Sequence, residues 1–175
     1  MESGSDFLRS QVDEAAVLHK AFVDALHDHG REAEDLRFSE LCARYVPIMD
    51  EQQRQLESLR RSLGTPRGVP GKVIGTVVGA ARELADVARE DDYRRLVGDI
   101  AVSSMAEDVF GTFREAGRVL HDQRLSELGL QGVRRHDDFN RDANRLAQVM
   151  FVERARAAEG SVERPQGATI ALFHR

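Results

Sequence analysis

The 175-residue chain has no tryptophan, only two tyrosines and a single cysteine, Cys42. One cysteine excludes a disulfide within the chain and is typical of proteins from reducing compartments. No apolar run approaches the roughly 18 residues that a membrane-spanning helix requires. The N-terminal sequence MESGSDF has neither the basic nor the apolar part of a secretory signal. We therefore expect a cytoplasmic protein with no membrane partner.

Basic residues form no pattern suited to a nucleic acid. Only Lys20 and Lys72 are lysines among the 25 basic residues, and the formal net charge is −5. Charges of both signs are interspersed along the chain, so no basic stripe is present to neutralise phosphates. We expect no nucleic-acid partner.

Apolar residues recur at steps of three and four over most of the chain, which is the spacing of one helix face. The clearest row lies between Gly30 and Gly64, where Pro47 is expected to kink the helix without ending it. This row consists of Leu41, Tyr45, Ile48, Gln52, Leu56, Leu59 and Leu63. The spacing predicts an all-α protein with long helices over residues 6–29, 30–64, 92–125 and 133–159.

Glycine marks the predicted connections between these helices. A tight turn at Gly30 makes the first two helices an antiparallel hairpin, and the GLQG stretch at 129–132 is the predicted turn between the last two. Between the second and third helices, residues 63–72 contain two prolines and three glycines and form a predicted loop. A short crossover helix is predicted over residues 72–89.

The chain is expected to form one helical bundle over residues 1–159, followed by a tail or packed arm at 160–175. The third helix has two apolar faces in its first half, and Gly75 and Gly79 of the crossover allow close helix packing. Both features motivate a homodimer. The inward row of the fourth helix is predicted to consist of Phe139, Leu146, Val149, Met150 and Ala157.

Three stretches carry a resemblance to a known family. They are GKVIGTVVGAARELADVARE in the crossover, FGTFREAG at residues 110–117 and LSELGLQG at residues 125–132. Together with two long hairpins joined by a crossover, they resemble the ferritin-like bundles and, among these, the YciE/YciF-like stress-associated family. The resemblance implies an antiparallel four-helix bundle with a short crossover helix between helices 2 and 3.

The residues that would hold a ferritin-like metal centre are not matched. Such centres use Glu-x-x-His pairs, because residues three apart share a helix face and grip two metals together. No Glu-x-x-His occurs in the sequence, and the nearest pair, Asp24 and His27, is predicted to point outward. The corresponding neighbourhood of the third helix is Ser103 to Ala106. We expect a degenerate site and favour no cofactor.

A few polar residues fall on inward rows and are the candidate binding residues. Counted from the predicted turn, Gln11 comes level with Gln52, and His19 comes level with Cys42. Such pairs form either structural hydrogen-bonded layers or part of a ligand site. In the functional interpretation, His19 and Cys42 form half of a metal site, or His19 activates the Cys42 thiolate. In the structural interpretation, Cys42 is a small core residue.

Three acids, Glu34, Asp142 and Glu153, are predicted to face inward. A carboxylate cluster favours hard ions, so these acids are the candidate ligands for iron or manganese in an atypical metal-binding protein or oxidoreductase, with His19 as a possible fourth ligand. The alternative interpretation pairs the acids with arginines, namely Arg135, Arg145 or Arg156.

The favoured functional hypothesis is a non-catalytic, stress-related or assembly-related helical protein that acts through its surface as a homodimer. The competing hypothesis is the atypical metal-binding bundle. A third hypothesis treats the apolar ATIALF segment of the C-terminal tail as a docking peptide for a protein partner. No phosphate-binding glycine loop and no Gly-x-Ser-x-Gly motif is present.

Overall fold

The structure is a computed structural model that describes residues 4–64 and 91–161, with side chains to residue 159. These residues form four helices that pack together and no strand, which confirms the all-α prediction. The helices are α1 (Gly4–Glu32), α2 (Leu36–Leu63), α3 (Asp92–Leu120) and α4 (Gln123–Ser161). The predicted crossover helix at 72–89 and residues 162–175 of the tail lie outside the described residues. None of the described helices has the length and apolar character needed to cross a membrane.

The first turn lies later in the chain than predicted. Gly30 is inside α1, and its carbonyl accepts a hydrogen bond from the Ser39 hydroxyl at 2.9 Å. The chain turns at residues 33–35, where the Asp35 carboxylate accepts from the backbone N–H of Arg37 at 2.9 Å and caps α2. The turn prediction was wrong because an N-capping aspartate, and not the glycine, defines where the second helix begins.

The buried row of α2 largely follows the predicted spacing. Five of its seven members are buried, and α2 continues through Pro47 to Leu63. Ile48 is an exception, since it is 37% exposed, and Met49 is fully buried beside it. The buried members are Leu41, Tyr45, Gln52, Leu56 and Leu59.

The second turn was also predicted in the wrong place. Residues 129–132 lie inside α4, and α3 ends instead at His121, whose φ of 54° places it in the left-handed region. The carboxylate of Asp122 then accepts from the backbone N–H of Leu125 at 3.0 Å. A C-terminal left-handed residue followed by a capping aspartate is a normal way to join two helices.

The glycines of α3 and α4 serve close packing instead of a turn. A Cβ atom at Gly129 would overlap the backbone of Arg114, and one at Gly132 would overlap the ring of Phe110. A Cβ at Gly117 would overlap the backbone of Ser126. The two helices therefore approach each other closely only because these three positions lack side chains.

The helices form two hairpins, α1–α2 and α3–α4, which meet through α1–α3 and α2–α4 contacts. In the first hairpin, Arg9 donates to the carbonyl of Leu63 at 2.6 Å. The largest fully buried side chains include Phe22 of α1, Phe38 of α2, and Phe110 and Phe139 of the second hairpin. The core thus runs along the interface between the hairpins.

The glycine contact predicts opposite effects for two alanine substitutions. Gly129→Ala should lower the free energy of unfolding by about 1–3 kcal/mol, because the new methyl group meets backbone that has no rotamer to change. Gly111→Ala is the matched control, since its Cβ would lie 3.9 Å from Val133. It should raise the free energy of unfolding by up to about 1 kcal/mol through helix propensity. Urea denaturation measures both, and equal effects would contradict the close contact.

Candidate functional site

In the described part of the chain, five polar or charged residues are buried in the core: His19, Gln52, Asp99, Ser103 and His136. The helix rows in the sequence predict His19 and Gln52 as inward residues, but not Asp99 or His136. A fourth helix beginning at residue 133 puts His136 in an end turn, whereas the helix begins ten residues earlier and His136 lies in its interior.

His19 is held by a glutamine of the neighbouring helix. Its Nδ1 lies 2.8 Å from Oε1 of Gln53. The amide nitrogen of Gln53 donates to the Ala16 carbonyl and to the Glu57 carboxylate, both at 3.2 Å, so Oε1 is the acceptor end. His19 therefore carries its proton on Nδ1, and its Nε2 is an unprotonated acceptor.

His136 of α4 meets the ring of His19 across the core. The two ring centroids are 5.2 Å apart, and the rings are nearly perpendicular at 85°. Nδ1 of His136 lies 2.9 Å from the hydroxyl of Ser103. Phe110 stacks on His136 at 5.5 Å, and Phe22 lies 5.3 Å from it. Neither histidine has a hydrogen-bond partner for Nε2 within the described part of the chain.

The apolar surroundings keep both rings neutral near pH 7. Burial lowers the pKa of His19 to about 4. Burial also holds the pKa of His136 well below its usual value, and the positions of His19 and Arg135 lower it further. Desolvation disfavours the charged form of a base, so neither ring is a ready cation or a charged acid.

Gln52 forms a structural layer, but not with the predicted partner. Its amide nitrogen donates to the carbonyl of Leu128 at 3.3 Å, and its Oε1 accepts from Arg135 at 2.5 Å. Gln11, the predicted partner, lies 3.4 Å from Glu14 in its own helix. Both ends of the Gln52 amide are thus used by α4, and the side chain joins the two hairpins.

Cys42 does not lie level with His19, so the predicted pair is wrong. It packs against Gly30, where a Cβ atom would lie 3.1 Å from the Cys42 Cβ. Burial raises the pKa of its thiol to about 12, and the negative charges of Asp99 and Asp92 contribute to the increase. A thiol with such a pKa is protonated at neutral pH, which agrees with a small core residue and not with an activated thiolate.

The three acids proposed as metal ligands do not face a common site, contrary to the sequence prediction. Glu34 and Glu153 are exposed. Glu153 pairs with Arg37 at 2.7 Å, near the start of α2. Asp142 is half-buried and accepts from the hydroxyl of Tyr45 at 2.8 Å.

The structure agrees better with the alternative interpretation, in which these acids pair with arginines, although most of the arginine partners are not the predicted ones. Asp142 lies 3.2 Å from Arg44 and 3.9 Å from Arg145. In the ranges 4–64 and 91–159, no three histidine, cysteine or acidic side chains come together in a group that could hold a metal ion. Among the residues that the structure describes, the one deeply buried acid is Asp99, which lies 2.8 Å from Nδ1 of His29.

A shallow cavity of about 210 Å³ lies between α2 and the first turns of α4. None of the predicted candidates lines it. Its acid, Glu127, accepts from Gln123 at 2.7 Å. The lining residues are Gln55, Ser58, Leu59, Arg124, Glu127, Leu128 and Gln131.

No protein-family model, curated protein or solved structure matches the chain. The ferritin-like and YciE/YciF-like resemblance therefore rests on the sequence features alone.

The environment of Cys42 predicts an unreactive thiol. In the native protein at about pH 8, Cys42 should react with a disulfide reagent on the order of 1000-fold more slowly than in the denatured chain, because so little thiolate is present. The matched control is Ser58→Cys in a Cys42→Ser background, since Ser58 is exposed. The control thiol should react at nearly the denatured rate. Fast labelling of native Cys42 would show that the thiol is not buried as described.

Proposed function

We propose that this chain is a non-catalytic, ferritin-like helical bundle that acts by association, in the first place as a homodimer. The observation that carries the proposal is a group of exposed apolar side chains around the last third of α4. We call this group the apolar end. It consists of Leu36, Val97, Val149, Phe151 and Val152.

Contacts among neighbouring residues indicate that these side chains lie at one end of the bundle. The ring of Phe151 lies 6.2 Å from that of Tyr93, one turn before Val97 on α3. On the other side of α4, Arg37 joins Glu153 at 2.7 Å, and Leu36 precedes Arg37. The starts of α2 and α3 therefore both meet α4 in the region that carries the exposed apolar residues.

Exposed apolar clusters of this kind often mark interaction sites, because burying them on a partner is favourable at about 25 cal/mol for each Å². Leu36 is 76% exposed and Phe151 is 57% exposed. In addition, side chains 151–159 are exposed on every face of α4. A helix end that buries little apolar surface is marginal in water, so a partner that covers it would stabilise it.

The ferritin-like arrangement in the proposal has support from contacts at the two ends of the helices. Arg9 of α1 contacts Leu63, the last residue of α2. At the other end, the backbone N–H of Asp35 donates to the Asp92 carboxylate at 2.7 Å. These contacts favour antiparallel neighbours, with the end of α2 and the start of α3 at opposite ends of the bundle. The stress-related role rests on the family resemblance only.

The apolar end predicts a concentration-dependent dimer that one charge disrupts. Val152→Asp should weaken the dimer about tenfold or more, because a carboxylate would have to be buried without a partner. Val119→Asp is the matched control, since Val119 is 65% exposed at the opposite end of α3. Multi-angle light scattering over a range of protein concentrations measures the dissociation constants. A monomeric wild-type protein at high concentration, or equal effects of the two variants, would overturn the proposal.

A further inference from the structure

The two hairpins meet at a pair of buried imidazole rings that lack half of their hydrogen bonds. His19 comes from α1 and His136 from α4, and Gln53 and Ser103 satisfy only Nδ1 of each ring. We propose that the His19–His136 pair is an acid-sensitive contact: the hairpins stay closed while both rings are neutral, and protonation of the pair opens the interface between them. This inference is independent of the proposed function, because the pair lies in the core and the apolar end lies on the surface.

Among the described residues, the first hairpin places no carboxylate in hydrogen-bond contact with the His19 ring. From α1, the ring of Phe22 lies against His19 at 6.2 Å. From α2, the negative charge of Asp50 raises the pKa of His19, but burial has the larger effect and lowers it. Asp50 itself pairs with His27 at 3.2 Å, and Glu57 accepts a hydrogen bond from the Gln53 amide. If His19 gained a proton on Nε2, the new charge would therefore point into the core with no carboxylate to meet it.

The second hairpin makes protonation harder still. From α3, His136 meets the Ser103 hydroxyl and the Phe110 ring. Glu107 of α3 accepts from Asn140 at 2.9 Å and lies one turn beyond Ser103. From α4, Arg135 contributes a positive charge that lowers the pKa of both histidines. Two charged rings 5.2 Å apart would also repel each other.

Opening removes these penalties, because water then solvates the charged rings. Phe22 and Phe110 pack against the pair, Phe139 packs against Phe22, and opening would expose them too. At neutral pH, opening is unfavourable because it exposes this apolar surface to water. The free energy of opening falls at lower pH, because the open form takes up protons that the closed form does not. The structure thereby couples proton uptake to separation of the hairpins.

The direction of the pH effect follows from the depressed pKa values. The pKa of His19 is about 4 in the closed form and near its usual 6.5 once solvated. Its unfavourable contribution is negligible above about pH 6.5 and grows as the pH falls toward 4. Between about pH 7.5 and about pH 5, the ratio of closed to open molecules should fall about 30-fold through His19 alone. His136 adds a factor of the same sign, because its pKa is lowered as well.

Asp99 acts in the opposite direction and must be separated from the pair. Burial raises the pKa of Asp99, and the hydrogen bond from His29 lowers it by a smaller amount. Because the folded protein binds this proton more tightly than the unfolded chain, Asp99 makes the fold more stable as the pH falls. This contribution is present in the wild-type protein and in variants of the pair alike. It cancels when their pH dependences are compared.

The test compares the acid dependence of stability in the full chain. Denaturant unfolding at about pH 7.5 and about pH 5 is measured for the wild-type protein, His19→Asn and His136→Asn, since asparagine keeps a donor near Nδ1 but does not titrate. The acid-induced loss in the folding equilibrium constant should be about 30-fold smaller for His19→Asn than for the wild-type protein. It should also be smaller for His136→Asn, because burial lowers the pKa of His136 too. Val23→Ala is the matched control, because Val23 is also buried on α1 but has no titratable group. It should keep the wild-type acid dependence, and equal behaviour of all four proteins would overturn the proposal.

Two readouts on the wild-type protein keep the test decisive if an asparagine variant does not fold. Nitrogen-15 shifts of the two rings should remain those of neutral imidazole throughout the folded range, and a ring that titrates near its usual pKa in the closed protein would refute the proposal. The single thiol reports opening, because Cys42 is buried on α2. With a dithiodipyridine reagent, which reacts at acidic pH, labelling of Cys42 relative to the denatured chain should rise about tenfold or more between about pH 7 and about pH 5. A constant relative rate would also refute it.

Discussion

The close backbone contact between α3 and α4 is the constraint on which the rest of the structure depends. Gly129 and Gly132 leave no room for a side chain, so Arg114 and Phe110 of α3 lie directly against α4. This contact sets the register that brings His136 opposite Ser103 and under the Phe110 ring. The position of His136 in the buried pair therefore depends on where Gly129 and Gly132 stand in the sequence.

The spacing of apolar residues in the sequence predicted the four described helices well, but it predicted their ends poorly. Steps of three and four residues depend only on which side of a helix is buried, and they correctly marked Leu41, Leu56 and Leu59. Glycine is ambiguous in a single sequence, because it ends helices and also permits close helix packing. At Gly129 the second use applies. The continuous buried row through Leu125, Leu128, Gly132, His136 and Phe139 was the signal that a turn there was unnecessary.

The candidate site was predicted only in part, and the reason is the position of the first turn. Placing that turn at Gly30 set His19 level with Cys42, whereas with the turn at residues 33–35 His19 contacts Gln53, farther along α2. His19 and Gln52 were correctly identified as inward, because their helix face did not depend on the turn. Partners across helices could not be found from the sequence, since a shift of a few residues at a turn changes every pair.

The interface between the hairpins also bears on how uniquely the chain folds. Leucine and alanine rows repeat every turn, so they would tolerate sliding one hairpin along the other by a helical turn. The polar contacts would not, because His29–Asp99, Gln52–Leu128 and Tyr45–Asp142 are spread along the interface and each requires its own partner. A slipped alignment would leave several buried polar groups unpaired at once. These few hydrogen bonds thus contribute little to the overall stability of the fold, but they favour one alignment of the hairpins over the alternatives.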